Sequence, residues 1–278
     1  MNLRKALDKA KEERQKESSA KSPHLPLEVS ARSKNEAHQA SPLHLQSRQV
    51  TLDPKIIKKN RIVCLSPDSR ENDLYKGIRT QIIKRMSDDQ SRTLMITSAL
   101  PGEGKTMTSI NLAITFAKDK NHSVLLVDGD LRRQQINKQL GYPSEGGLVD
   151  YLVDDKPLQE LIVWPGVEKL SIISGGRTVE DSTELLSSFK MQDLMSEIKG
   201  RYDNRYILLE SPPILSCPDT AAFSPLVDAI VMVVESGRTT IEEIKKAMKL
   251  IPAEKFLGFI LNKNKGYGLD EYKYYYGS

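Results

Sequence analysis

Six short apolar runs punctuate the chain: Leu94-Met95-Ile96, Val124 to Val127, Leu170 to Ile173, Tyr206 to Leu209, Ala229 to Val234 and Phe256 to Leu261. Each is too short for a helix and apolar without alternation, the pattern of a strand covered on both faces. Helical spacing fills the intervals. Ser66 to Met86 puts Leu74, Ile78, Ile82 and Ile83 on one face and Asp73, Lys76 and Arg79 on the other. Met107 to Lys118, Glu184 to Lys199 with Leu185, Leu186, Phe189 and Leu194 inside, and Ile241 to Leu250 read as further helices. Residues 134–166 read as loops and short helices, one of them near Leu148 to Leu152, with Trp164 packed among them. Strands alternating with helices predict an α/β fold, a doubly wound and mostly parallel sheet with helices on both faces.

The ends differ from this middle. Leu3, Ala6, Leu7 and Ala10 suggest a short amphipathic helix, and Ser18 to about Asp53 has little periodicity and reads as linker. Three regions are expected: a largely disordered basic arm and linker at 1–61, a domain at 62–265, and a tail at 266–278. Residues 1–61 hold 14 Lys and Arg against 7 Asp and Glu; with 41 and 37 in the whole chain, the remainder carries 27 against 30. The basic charge therefore belongs to the arm, which is read as solvated, and no nucleic-acid partner is expected. The two cysteines, Cys64 and Cys217, lack metal-type spacing and suit a reducing compartment. With no signal-peptide pattern and no long apolar run, a soluble cytoplasmic protein is expected, reaching the inner face of a membrane through a partner.

The chemistry gathers after the first apolar run. Ser98-Ala99-Leu100-Pro101-Gly102-Glu103-Gly104-Lys105-Thr106 lies between a predicted strand and a predicted helix that opens at Met107. From Ala99 the spacing is small-x-x-x-x-Gly-Lys-Thr, a phosphate-binding loop with Ala in the first glycine position. Gly102 and Gly104 allow backbone N–H groups to approach phosphate oxygens, and the helix N-terminus adds partial positive charge. Lys105 is expected to reach the β- and γ-phosphates of ATP, and Thr106 to ligate Mg2+. Such a loop is expected to be exposed. Two further strands end in carboxylates on the same sheet edge: Asp128 and Asp130 after Val127, and Glu210 before Ser211-Pro212-Pro213, where the prolines force an extended exit.

The tail concentrates tyrosine. Tyr267, Tyr272, Tyr274, Tyr275 and Tyr276 are half of the chain's 10. They read either as an aromatic anchor for a partner or, beside a nucleotide site, as phosphate acceptors.

Taken together, the phosphate loop, Val124 to Arg132, Tyr206 to Pro213 and the tail resemble the bacterial tyrosine autokinases of polysaccharide export and capsule assembly, over roughly residues 62–278. Leu126-Val127-Asp128-Gly129-Asp130-Leu131-Arg132-Arg133 looks like that family's second Walker A motif. The arm from Asn2 to Arg14 is similar to arms on cytoplasmic members. The resemblance implies a P-loop fold of the partition-ATPase type and a non-specific protein-tyrosine kinase that phosphorylates its own tail with ATP and Mg2+. It also implies a homo-oligomer, a membrane-embedded activator controlling polysaccharide chain length and export, and a tyrosine phosphatase.

The resemblance assigns Pro101, Gly102, Glu103, Gly104, Lys105, Thr106 and Met107 to the nucleotide. Thr106, Asp128 and Glu210 are assigned to the metal, and Asp128 or Asp130 to the tyrosine hydroxyl. Asn262 is similar to the residue that related ATPases set against adenine, though a plain strand-end cap is the alternative. Two departures stand out. Glu210 replaces the family's Asp, lengthening the carboxylate by one methylene, and a ring-forming Glu-x-x-Arg-x-x-Arg pattern reads Asp73, Lys76, Arg79, with Lys lacking the bidentate fork of Arg. The rival readings are a partition or septum-placement ATPase switch and a nucleotide-gated adaptor, neither of which transfers phosphate to tyrosine.

Overall fold

A computed structural model describes residues 47–66, 70–86, 92–200 and 204–264. The chain divides into two units, 1–39 and 40–278, and every described residue belongs to the second. The predicted arm helix and the five tail tyrosines lie outside the described residues.

In chain order the elements are β1 (Arg48–Gln49), α1 (Pro54–Lys59), α2 (Arg70–Arg85), β2 (Thr93–Ser98), α3 (Lys105–Ala117), β3 (Ser123–Asp128), α4 (Ile136–Leu140), α5 (Leu148–Asp154) and α6 (Leu158–Leu161). There follow β4 (Ile162–Trp164), β5 (Leu170–Ile173), α7 (Ser182–Leu186), α8 (Phe189–Gly200), β6 (Arg205–Glu210), α9 (Asp219–Phe223), β7 (Ala229–Glu235), α10 (Ile241–Met248) and β8 (Phe256–Asn262). They build an 8-stranded sheet of order β1-β4-β5-β3-β6-β2-β7-β8. All pairs are parallel except β4 with β5.

The two-residue repeat of the strands sorts their side chains between two cores. Leu94, Ile96, Val124, Leu126, Leu208, Val231 and Val233 meet α2, α3 and α4 on one face, with Phe116 of α3 set edgewise on Tyr206 at 5.1 Å. Met95, Leu125, Val127, Ile207, Leu209, Ile230 and Met232 meet the helices from α5 through α10 on the other. Each such buried aliphatic side chain contributes about 1.5–3 kcal/mol relative to exposure, so this inventory holds the sheet between its helices. The six apolar runs are the six long strands.

Several boundaries differ from expectation. Structure begins before residue 62: Arg48 and Gln49 pair with Val163 and Trp164, and Asp53 caps α1 by accepting from the Lys55 and Ile56 N–H groups. Val50, Leu52 and Ile57 pack on the core, an anchorage too sparse for periodicity to reveal. The helix expected from Glu184 to Lys199 is two helices, because the Ser188 hydroxyl accepts from the Met191 N–H and starts α8 afresh. Phe189, expected inside, is consequently 83% exposed. Leu74 on α2 is likewise 43% exposed rather than buried. Trp164 is half-buried on β4, with its indole N–H donated to the Val167 carbonyl at 2.9 Å.

Candidate functional site

The middle strands bring three chain segments to one sheet edge. Asp128 at the end of β3 is the register partner of Glu210 at the end of β6, and Glu210 pairs in turn with Ile96 of β2, whose continuation is the phosphate loop. The chain leaves β6 extended, as its prolines require. Ile214 and Leu215 donate to the carbonyls of Ser98 and Ala99, and the hydroxyls of Thr97 and Thr220 both donate to the Pro212 carbonyl. Gly129 lets β3 pass close to β6: a Cβ there would meet the Glu210 carbonyl and the Phe223 ring at 2.7 Å.

The loop itself is built as its glycines suggest. Gly102 and Gly104 have φ of +83° and +93°, and Gly104 caps α3. A side chain at Gly104 would collide with the Asn262 amide. Glu103 does not face outward. Its buried carboxylate accepts from the N–H groups of Leu100 at 2.7 Å and Glu235 at 3.2 Å and from the Thr239 hydroxyl, tying the loop to the end of β7. Asn262 completes the brace by donating to the Glu103 carbonyl at 2.8 Å, so here it is a clip on the loop as well as the end of a strand. Met107 turns its sulfur to the Tyr75 hydroxyl at 3.2 Å, leaving its backbone at the helix start. Pro101 and Gly102 lie on the loop's solvent side.

Lys105 and Thr106 are buried, contrary to the expected exposure. The Lys105 ammonium donates to Glu210 Oε1 at 2.7 Å and to Asp130 Oδ2 at 3.1 Å, and the Thr106 hydroxyl donates to the same Glu210 Oε1. Burial opposes the Lys105 charge, but Glu210 and then Asp130 more than offset it and hold the ammonium above the ordinary lysine range. Asp128 is not on the ammonium. Its oxygens accept from the backbone N–H groups of Asp130 at 3.2 Å and Ile136 at 3.1 Å, shaping the loop after β3. Burial, then the negative charge of Glu210, push the Asp128 carboxyl up to about 8.

The donor set suits a small hard cation. Glu210 is fully buried and its Oε2 has no hydrogen-bond partner, an arrangement that costs free energy unless something is meant to meet that oxygen. Among the described residues no group of three or more His, Cys, Asp or Glu side chains is arranged to hold a metal. Mg2+ is commonly held by one or two carboxylates with phosphates and water, so Glu210 and Thr106, with Asp128 or Asp130 beside them, fit it without a closed protein cage.

Periodicity and motif left some neighbours unseen. Lys263, in the left-handed region at φ +56°, donates to the Gly102 carbonyl at 2.7 Å and to Glu235 Oε2 at 2.9 Å, and Arg238 donates to the same Glu235 oxygen at 3.0 Å. Only the position of Lys263 directly after Asn262 hinted at it. The face expected to join subunits is divided: Asp73 and Lys76 pair with each other in the open at 2.7 Å, whereas Arg79 turns inward and donates to the Thr115 carbonyl of α3.

Known proteins share this arrangement. The family model described as an AAA domain matches residues 91–255, more than half of the chain. Tyrosine-protein kinase YwqD of Bacillus subtilis is 33% identical over 79% of this chain and 92% of its own length. The kinase domain of Escherichia coli tyrosine kinase ETK superposes with a TM-score of 0.68 at 26% identity, covering 80% of this chain and 91% of that one. The septum site-determining protein MinD of Pyrococcus horikoshii, at 24% identity and a TM-score of 0.50 over 62% of this chain and 70% of its own, shares the fold. A phosphate loop whose lysine is held between Asp130 and Glu210, in a chain that matches YwqD at 33% identity over 92% of that kinase's length, identifies the chain as a member of the bacterial tyrosine-protein kinase family built on the AAA-type P-loop fold.

Proposed function

We propose that this chain transfers the γ-phosphoryl group of ATP to tyrosines 267, 272, 274, 275 and 276 of its own C-terminal segment, and that it does so in the service of capsule or exopolysaccharide assembly. The observation that carries this reading is the buried Lys105 ammonium between Glu210 and Asp130 at the mouth of a phosphate loop, beside an unpartnered carboxylate oxygen.

Phosphoryl transfer needs positioning and charge neutralisation more than covalent chemistry from the protein. The loop N–H groups from Gly102 to Met107 orient the phosphates. Lys105 balances two carboxylates and is the cation within reach of phosphate oxygens at the loop. Glu210 and Thr106, with Asp128 or Asp130, are the groups that would hold Mg2+, which would supply positive charge to offset that of the phosphates. In the transfer the tyrosine oxygen bonds to phosphorus, the bond from phosphorus to the β-γ bridging oxygen breaks, ADP leaves, and the hydroxyl proton passes to a carboxylate. Asp130 is assigned that role in preference to Asp128: both are buried, but Asp130 turns one oxygen to Lys105 and accepts from the Arg133 N–H with the other, whereas both Asp128 oxygens accept from backbone N–H groups. Asn262, bonded to the loop, lies where an adenine contact is also within its means.

The acceptors need not be in the same subunit. Ten residues separate Asn262 from Tyr272, an extended reach of roughly 35 Å, enough for a neighbour's site in a head-to-tail homo-oligomer. Exposed Asp73, Lys76 and Leu74 support a contact on α2, with Arg79 contributing by fixing α2 to α3. Among the described residues no helix is long and apolar enough to cross a membrane. A membrane-embedded activator is the proposed route to the inner membrane face, with a tyrosine phosphatase as the opposing partner. Incubating the purified chain with ATP and Mg2+ and mapping phosphotyrosine tests the reading. Nucleotide hydrolysis without phosphotyrosine would instead assign it to the switch ATPases.

A further inference from the structure

Arg132 stands two residues beyond Asp130 on the loop leaving β3, and no step above uses it. Its Nε donates to the Ser182 hydroxyl at 2.8 Å and lies 3.5 Å from Asp219 Oδ2. Ser182 donates in turn to Asp219 Oδ2 at 2.7 Å, and the Thr183 hydroxyl to Asp219 Oδ1 at 2.5 Å. Asp219 is fully buried, whereas the Arg132 side chain is 45% exposed. Burying a carboxylate to pair with a half-exposed cation gains little stability, so orientation is what the arrangement secures. The guanidinium is held by its Nε edge. Among the described residues its terminal Nη groups have no hydrogen-bond partner, and they form a fork suited to a carboxylate.

Arg132 is fastened to α7 and α9 and stands two residues along the chain from Asp130, a carboxylate bonded to Lys105. An anion received by its fork is therefore held by the same loop that carries Asp130. In residues 266–278 the only acidic residues are Asp270 and Glu271, immediately before Tyr272.

We propose that Arg132 docks the acceptor segment by pairing with Asp270 or Glu271, and so selects Tyr272 ahead of the run Tyr274 to Tyr276, with Asp219 and Ser182 as positioning residues. This deepens the tyrosine-transfer reading and rests on it. Carboxylates beside an acceptor are matched by the Arg fork, and Lys at this position would lack it.

Site-resolved mass spectrometry of the full chain, sampled early after adding ATP and Mg2+, tests the proposal. The wild-type chain is expected to label Tyr272 first. Arg132→Gln, and separately Asp270→Asn with Glu271→Gln, should each lower the initial rate at Tyr272 about tenfold, keep Tyr274 to Tyr276 within about twofold, and leave the KM for ATP unchanged. Asp219→Asn should reproduce the redistribution, and Arg132→Lys should not recover the wild-type site order. The tail substitutions leave every described residue unchanged, so they answer even if an Arg132 variant folds poorly. Unchanged site order in the Arg132 and tail variants overturns the proposal. A uniform loss at every tyrosine with a raised KM for ATP also overturns it, by assigning Arg132 to the nucleotide. Fluorescence anisotropy of a labelled 266–278 peptide on the full chain separates docking from transfer. Binding weakened about tenfold by Arg132→Gln supports docking even if no phosphotyrosine forms, and binding indifferent to Arg132 refutes it.

Discussion

Lys105→Met is usually read through activity, but here it should first be felt as a loss of stability. The Lys105 side chain is 9% exposed and is the cation shared by Glu210, fully buried, and Asp130, nearly so. Removing one partner of such a buried arrangement leaves uncompensated charge and typically costs about 3–5 kcal/mol. At roughly 2–4 °C per kcal/mol for a domain of this size, the melting temperature should fall by roughly 6–20 °C. The loss should depend on pH with a definite sign. Lys105 is among the charges that restrain the upward shift of the Asp128 carboxyl, so its removal drives that group higher and favours proton uptake by the folded cluster. A carboxyl whose folded pKa exceeds its unfolded value binds more protons when folded, and the stability it contributes is lost as pH rises through the folded value. The Asp128 carboxyl is protonated at pH 5.5 in both proteins, so the penalty should already be present there and should grow as pH rises past about 8 toward pH 9.5, where only the wild-type group releases its proton. Urea unfolding of both proteins at the two pH values measures it directly. A penalty absent at pH 5.5, or smaller at pH 9.5 than at pH 5.5, refutes the account of Lys105 as a buried counter-charge. Loss of phosphotyrosine in this variant then has meaning only where the same measurement shows it folded.

Glu210→Asp keeps the charge at the end of β6 and should retain autophosphorylation within about tenfold, whereas Glu210→Ala should lower it at least about a hundredfold over a magnesium titration. Asp128→Asn removes a carboxyl pushed up to about 8, so the wild-type loss of stability between about pH 4 and pH 8 should flatten and the variant should melt higher than wild type at pH 9. Equal slopes in melting temperature against pH would place that titration elsewhere. Glu103→Ala strips the Leu100 and Glu235 N–H groups of their acceptor and should weaken ADP binding about tenfold in a titration while the fold persists. For transfer between subunits, a mixture of Lys105→Met chain with tail-deleted active chain should label the Lys105→Met tail at a pH where that variant is folded. Because each phosphotyrosine adds about −1.5 to −2 charges, molar mass by light scattering should also fall after ATP treatment.

The phosphate loop, the six long strands and the family were legible in the sequence because each depends on local physics. Gly102 and Gly104 at positive φ, Lys-Thr at a helix start and unbroken apolar runs say the same thing in any surroundings. The carboxylates were legible as candidates, since each ends a strand or follows one within two residues on one edge. Which of them meets Lys105 was not, because residues 105, 130 and 210 come together only through the β3-β6-β2 register, and that register leaves Asp128 bonded to backbone while Asp130 and Glu210 face the ammonium. Leu74 and Phe189 show the same limit: helical spacing defines an apolar face, but only the packed neighbours decide whether anything covers it. Burial of Lys105, the inward turn of Glu103 and the Arg132–Ser182–Asp219 chain likewise belong to the tertiary structure, since desolvation and pairing are properties of a three-dimensional neighbourhood and leave no period in the chain.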